Sequence, residues 1–66
     1  MLTREMLWNM KADEVMVVTR GEREIHIYRV YSHKRIYRIV TASGEQLKPV
    51  YGHTVVAWYH QGWLFD

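Results

Sequence analysis

The sequence predicts an α+β domain: a short N-terminal helix packed on a four- to five-stranded antiparallel meander, with a small SH3-like barrel as the alternative shape. Three observations point there. Met6, Leu7 and Met10 follow a helical spacing near the start. From Glu14 onward the chain turns to valine-rich and alternating β-branched and aromatic runs. Gly21 and Gly44 fall between those runs, where tight turns are needed.

The predicted helix spans residues 3–11. Thr3 is a suitable N-cap, Glu5 and Lys11 complement the helix dipole, and Leu2 extends the apolar stripe. Such a short helix is stable only as a lid on something else. The sheet is predicted over 14–61, with strands EVMVVTR (14–20), REIHIYRVY (23–31), RIYRIVT (35–41), a weaker EQLKPV (45–50) and TVVAWYHQ (54–61). Pro49 cannot donate to a ladder, which assigns it to an edge or a strand end. Tyr51-Gly52-His53 reads as a turn, Gly62 as a strand breaker, and residues 62–66 as an apolar tail tucked against the sheet.

All 66 residues read as one domain. A chain of this size buries only about 60 % of its unfolded surface, so it needs additional stabilisation. Disulfides are excluded by the absence of cysteine. Trp8, Trp58, Trp63, Phe65 and the five tyrosines supply the apolar area instead, either by dense packing or through a homodimer. Arg4, Glu5 and Lys11 interrupt any secretory signal, and no apolar run nears the roughly 20 residues of a membrane span. The expected location is cytoplasmic, with no membrane partner.

Charge is unevenly spread. No acidic residue lies between Glu24 and Glu45, while Arg29, Lys34, Arg35 and Arg38 all do, and the formal net charge of the chain is +2. The cationic pole is therefore the stretch YRVYSHKRIYR, residues 28–38, which reads as the second hairpin.

Hairpin register sorts its side chains. A two-residue Gly21-Glu22 turn sets Arg20 opposite Arg23 and Val18 opposite Ile25. For the second hairpin the preferred loop is the four residues Ser32–Arg35, which pairs Tyr31 with Ile36, Arg29 with Arg38 and Ile27 with Val40. One face then carries Met16, Val18, Ile25, Ile27, Ile36 and Val40, with Arg29, Arg38 and Tyr31 toward the tip. The other carries Val15, Val17, His26, Tyr28, Val30, Tyr37 and Ile39. The first face is the one expected to receive the helix. Facing arginines at 29 and 38 would call for an anion between them, from Glu5, Asp13 or a ligand. A three-residue loop instead sets Arg29 opposite Tyr37 in a cation–π contact and flips every residue of the third strand.

No catalytic constellation emerges. Ser32 and Ser43 lie in predicted turns, and Glu22 and Glu24 flank a turn tip beside Arg20 and Arg23, where a solvated charged turn is the ordinary reading. No glycine-rich phosphate loop is present. His26 and His33, like His53 and His60, are spaced wrongly for a metal motif, although His26 and His60 could meet across strands as a pH-sensitive pair. Neither an enzyme nor a cofactor is expected.

The leading expectation is a small non-enzymatic protein-binding module, a regulator, inhibitor or adaptor. Its predicted contact residues are Tyr28, Arg29, Tyr31, Lys34, Arg35, Tyr37 and Arg38, because tyrosine and arginine dominate interface hot spots. Homodimerisation could use the same surface. The alternative is nucleic acid, with cations on phosphates and tyrosines stacked on unpaired bases. The plain structural reading makes Tyr28, Val30 and Tyr37 core residues and the cations ordinary solvated surface.

Overall fold

A computed structural model describes residues 1–66. Helix α1 is Arg4–Trp8; strands β1 (Val15–Arg20), β2 (Arg23–Arg29), β3 (Ile36–Val40) and β4 (Val50–Tyr51) follow; helix α2 (Gly52–Gln61) and a 3₁₀ turn, Trp63–Phe65, close the chain. The strands form one antiparallel sheet in the order β1-β2-β3-β4. This is the α+β meander expected. The sheet is open at β1 and β4 and does not close into a barrel.

The local reasons for most elements are those in the sequence. The Thr3 hydroxyl accepts from the Met6 N–H at 3.2 Å and starts α1. Gly21, at φ +62°, turns β1 into β2, with Arg20 opposite Arg23 and Val18 opposite Ile25. After β3, the Thr41 hydroxyl accepts from the Glu45 N–H at 3.1 Å, and Gly44 takes the left-handed conformation at φ +93°.

The last long element differs from expectation. The β-branched and aromatic content of residues 54–61 predicts a strand, yet they lie within α2. Gly52, Val55, Val56 and Tyr59 recur at i, i+3, i+4 and i+7, so they share the helix face turned to the core. Local β-propensity is weak beside the gain from covering an apolar sheet face. The sheet accordingly ends at Tyr51, and of the predicted 45–50 strand only a bridge between Val40 and Gln46 and the start of β4 form. Residues 51–53 are not a free turn: Tyr51 ends β4 and Gly52 begins α2.

Gly62 ends α2 as a left-handed cap at φ +86°, its N–H reaching the carbonyls of Trp58 and Tyr59. A Cβ at this position would stand 3.1 Å from the Arg20 Nη1 atom. Gly62→Ala should cost about 1 kcal/mol, read as a Tm lower by roughly 4–8 °C in a thermal melt.

The core lies between one face of the sheet and the two helices. Leu2, Leu7 and Met10 come from the N-terminal segment, Ile25 and Ile27 from β2, Tyr37 and Ile39 from β3, Val55 from α2, and Leu64 and Phe65 from the 3₁₀ turn. The tail is thus tucked in as expected, tied by the Ala42 N–H to the Leu64 carbonyl at 2.9 Å. Met6, counted in the predicted helix stripe, is exposed instead.

Candidate functional site

The second hairpin decides where the candidate residues go. Its register is Tyr28 opposite Arg38, Arg29 opposite Tyr37 and Ile27 opposite Ile39. This is the alternative pairing, not the preferred one. The loop is neither of the two lengths considered: the Val30 N–H donates to the Ile36 carbonyl at 3.1 Å, leaving five loop residues, 31–35. The slip of one residue has a clear cause. It buries Tyr37 and Ile39 beside Ile25 and Ile27, whereas the preferred register would have buried Arg38 alongside Arg29.

Two residues expected on the contact surface are therefore internal. Arg29 is 4 % exposed and points at the end of α1. Its guanidinium donates to the backbone carbonyls of Trp8, Met10 (2.6 Å), Tyr31 (2.8 Å) and Ser32 (3.0 Å). Its carbon centre also lies 4.2 Å from the centroid of the Trp8 ring. One side chain thus satisfies the orphan carbonyls of a helix C-terminus and fixes the start of the 31–35 loop. No anion stands between Arg29 and Arg38, because the two project to opposite faces of the sheet. The cation–π partner of Arg29 is Trp8, not Tyr37.

Tyr37 is the second correction, at 1 % exposure. Its ring packs against Gly52 so closely that a Cβ on that glycine would stand 3.1 Å from the ring. Burial pushes the Tyr37 hydroxyl above the usual tyrosine range, with the Arg29 and Arg35 guanidinium groups pulling the other way.

The remaining five candidates are exposed. Tyr28 and Arg38 sit side by side on the sheet face that no helix covers. Tyr31, Lys34 and Arg35 belong to the loop, where Lys34 lies 5.2 Å over the Tyr31 ring and Arg35 lies 4.5 Å over the Trp8 ring. The uncovered face extends well beyond them. Val15, Val17, Tyr28 and Tyr51 are exposed large apolar residues, and Val30, Ile36 and Val40 are half-buried among them. Between the loop, β3 and β4 this face dips into a groove of about 290 Å³. Val30, Tyr31, Ile36, Val50 and Tyr51 line it, with Arg38 at its rim.

The contact residues named from sequence leave out Val15, Val17 and Tyr51, although the two valines fall on the face away from the helix as expected. The alternation of β1 does carry the signal for the valines, since Met16 and Val18 point to the core side. The histidines do not converge. His26 meets Glu24 at 3.2 Å on the open face, while His60 lies far along α2, so the cross-strand pair does not form. No three His, Asp or Glu side chains gather as a metal site, and no helix is long and apolar enough to cross a membrane. In comparisons with protein-family models, curated proteins and solved structures, the chain matched none.

Proposed function

We propose that this chain is a small non-enzymatic protein-binding module, a regulator, inhibitor or adaptor, which acts through the uncovered face of its sheet. The observation that carries the reading is that face itself. A four-stranded sheet covered on one side presents valines, an isoleucine and two tyrosines on the other, with a groove beside the basic loop. Contiguous apolar surface rimmed by arginine and tyrosine is the composition of interface hot spots. Arg38, Lys34 and Arg35 set the complementary chemistry: a protein surface offering an apolar side chain to the groove and carboxylates around it. A cytoplasmic setting goes with this reading, since a chain without cysteine suits a reducing compartment.

A second reading rests on the same geometry. Tyr28, Tyr31 and Tyr51 are exposed beside Lys34 and Arg38, an arrangement that could stack unpaired bases and neutralise phosphates. It is weaker than in the sequence alone, because Arg29 is engaged internally.

A photo-crosslinking side chain at position 17, in a cell extract, tests the first reading. The expected result is one discrete adduct with another protein, abolished by Tyr28→Asp while the variant keeps its native circular dichroism. An adduct of twice the chain mass would assign the face to a second copy and overturn the hetero-partner. Binding to single-stranded DNA that weakens steeply with salt and is lost in Arg38→Gln would favour the second reading.

A further inference from the structure

A second cleft, on the other side of Tyr51 from the groove, has a different character. It measures about 110 Å³ and is lined by Arg4, Arg35, Tyr37, Tyr51, Gly52 and His53. Three of the six carry or can carry positive charge, and none is acidic. Neither arginine forms an ion pair with a carboxylate, the structure's one such contact being His26 with Glu24. The cleft also holds the first residues of α2, a helix of ten residues with no acidic side chain in its first turn and no side-chain cap at Tyr51. The positive end of that helix therefore has no acidic side chain and no side-chain cap to offset it.

Tyr37 adds an independent observation. The side chain is 1 % exposed, and its hydroxyl takes part in none of the side-chain hydrogen bonds. Since no fully buried polar side-chain atom lacks a partner, that oxygen is not sealed in the core, and Tyr37 lines the cleft beside the two arginines. A buried phenol kept in its protonated form offers a donor, and here the donor faces an electropositive hollow. The position is well fixed. Gly52 packs on the Tyr37 ring, the Gly52 N–H donates to the Arg35 carbonyl at 3.0 Å, and His53 stacks on Tyr51 with ring planes 9° apart.

We infer that this cleft is a binding site for a phosphate group, held by Arg4, Arg35, His53 and the Tyr37 hydroxyl at the start of α2. Two arginines, a tyrosine and a histidine, all with side chains able to donate, line a hollow of about 110 Å³. That set suits a tetrahedral dianion better than a monovalent, planar carboxylate. The phosphate could be a free ion or the group on a phosphorylated side chain. The inference stands on the cleft alone and does not depend on the function proposed for the open sheet face.

Titration of the isotope-labelled full chain with inorganic phosphate, at constant ionic strength set by chloride, tests it by NMR. The expected result is a saturable shift of the Gly52, His53 and Thr54 amides, with a dissociation constant on the order of 1 mM. Arg35→Gln should weaken binding about tenfold or more, while Arg23→Gln, which removes the same charge far from the cleft, should leave it unchanged. Tyr37→Phe keeps the packed ring and should weaken binding severalfold at unaltered Tm, which separates loss of the donor from loss of the fold. A short phosphoserine peptide forms a second arm: tighter binding than phosphate identifies a phosphorylated chain as the source, and equal binding identifies the free ion. No saturation by about 10 mM phosphate would overturn the assignment. So would an equal response to acetate, or equal losses in Arg35→Gln and Arg23→Gln.

Discussion

Arg29→Ala should unfold much of the population at room temperature, while Arg38→Ala should change stability by less than about 0.5 kcal/mol. The two arginines flank the same hairpin, and composition gives no way to rank them. Arg29 donates to four backbone carbonyls, on Trp8 and Met10 at the end of α1 and on Tyr31 and Ser32 in the loop. Truncation strips these acceptors of their donor, most severely the buried Met10 carbonyl, since water can replace the three part-buried bonds, and it opens a void against Trp8. A combined loss of about 3–5 kcal/mol is comparable with the whole stability of a domain this size, roughly 3–10 kcal/mol. Arg29→Lys should recover less than half. An ammonium keeps the charge but gathers its donors at one point, and cannot span carbonyls on two segments. Urea denaturation of the three variants checks the ranking. Equal effects of Arg29→Ala and Arg38→Ala would contradict the observed register.

Tyr37→Ala is the second large effect expected, a loss of about 3–5 kcal/mol. The ring is fully buried and supports Gly52, so its removal leaves the start of α2 unsupported. Tyr37→Phe should be close to neutral near pH 7, because the hydroxyl takes part in none of the side-chain hydrogen bonds. The two variants separate at alkaline pH. Burial raises the folded-state pKa of Tyr37 above the ordinary value of about 10. Between the unfolded and folded values the native state then holds the extra proton, so stability falls as pH rises. The contribution is fully present below about pH 10 and is lost as the pH rises through the folded value, at a slope of at most about 1.4 kcal/mol per pH unit. Subtracting the urea-derived stability of Tyr37→Phe from that of the parent chain across this range isolates the effect from the other tyrosines. A flat difference would mean that the hydroxyl is better solvated than its burial implies.

The physics of the N-terminal half was local and therefore readable. Thr3 as a cap, Gly21 in a two-residue turn and the alternation of β1 and β2 each depend on residues a few positions apart, so their outcomes could be argued without knowing the rest of the chain. The helix at 52–61 was misread because its valines and aromatics favour a strand slightly, while the reason it is helical lies in what it covers. The pattern at Gly52, Val55, Val56 and Tyr59 was present in the sequence, but it coexisted with a β-rich composition of similar local weight. Of the seven contact residues named from sequence, five are exposed and two, Arg29 and Tyr37, are internal. The phosphate-sized cleft could not have been read at all, because it joins α1, the 31–35 loop, β3 and α2.

The sequence by itself determined the class of fold, the meander, the first hairpin's register and the basic character of residues 28–38, all of which follow from short-range spacing and turn chemistry. Tertiary structure alone decided the second hairpin's register, because a pleated strand can expose either of its faces at almost equal local cost. The choice fell to burial: Tyr37 and Ile39 gain more from the core than Ile36 and Val40 would with Arg38 between them. Arg29 goes inward in the same register, since the carbonyls at the end of α1 stand where its guanidinium can reach them.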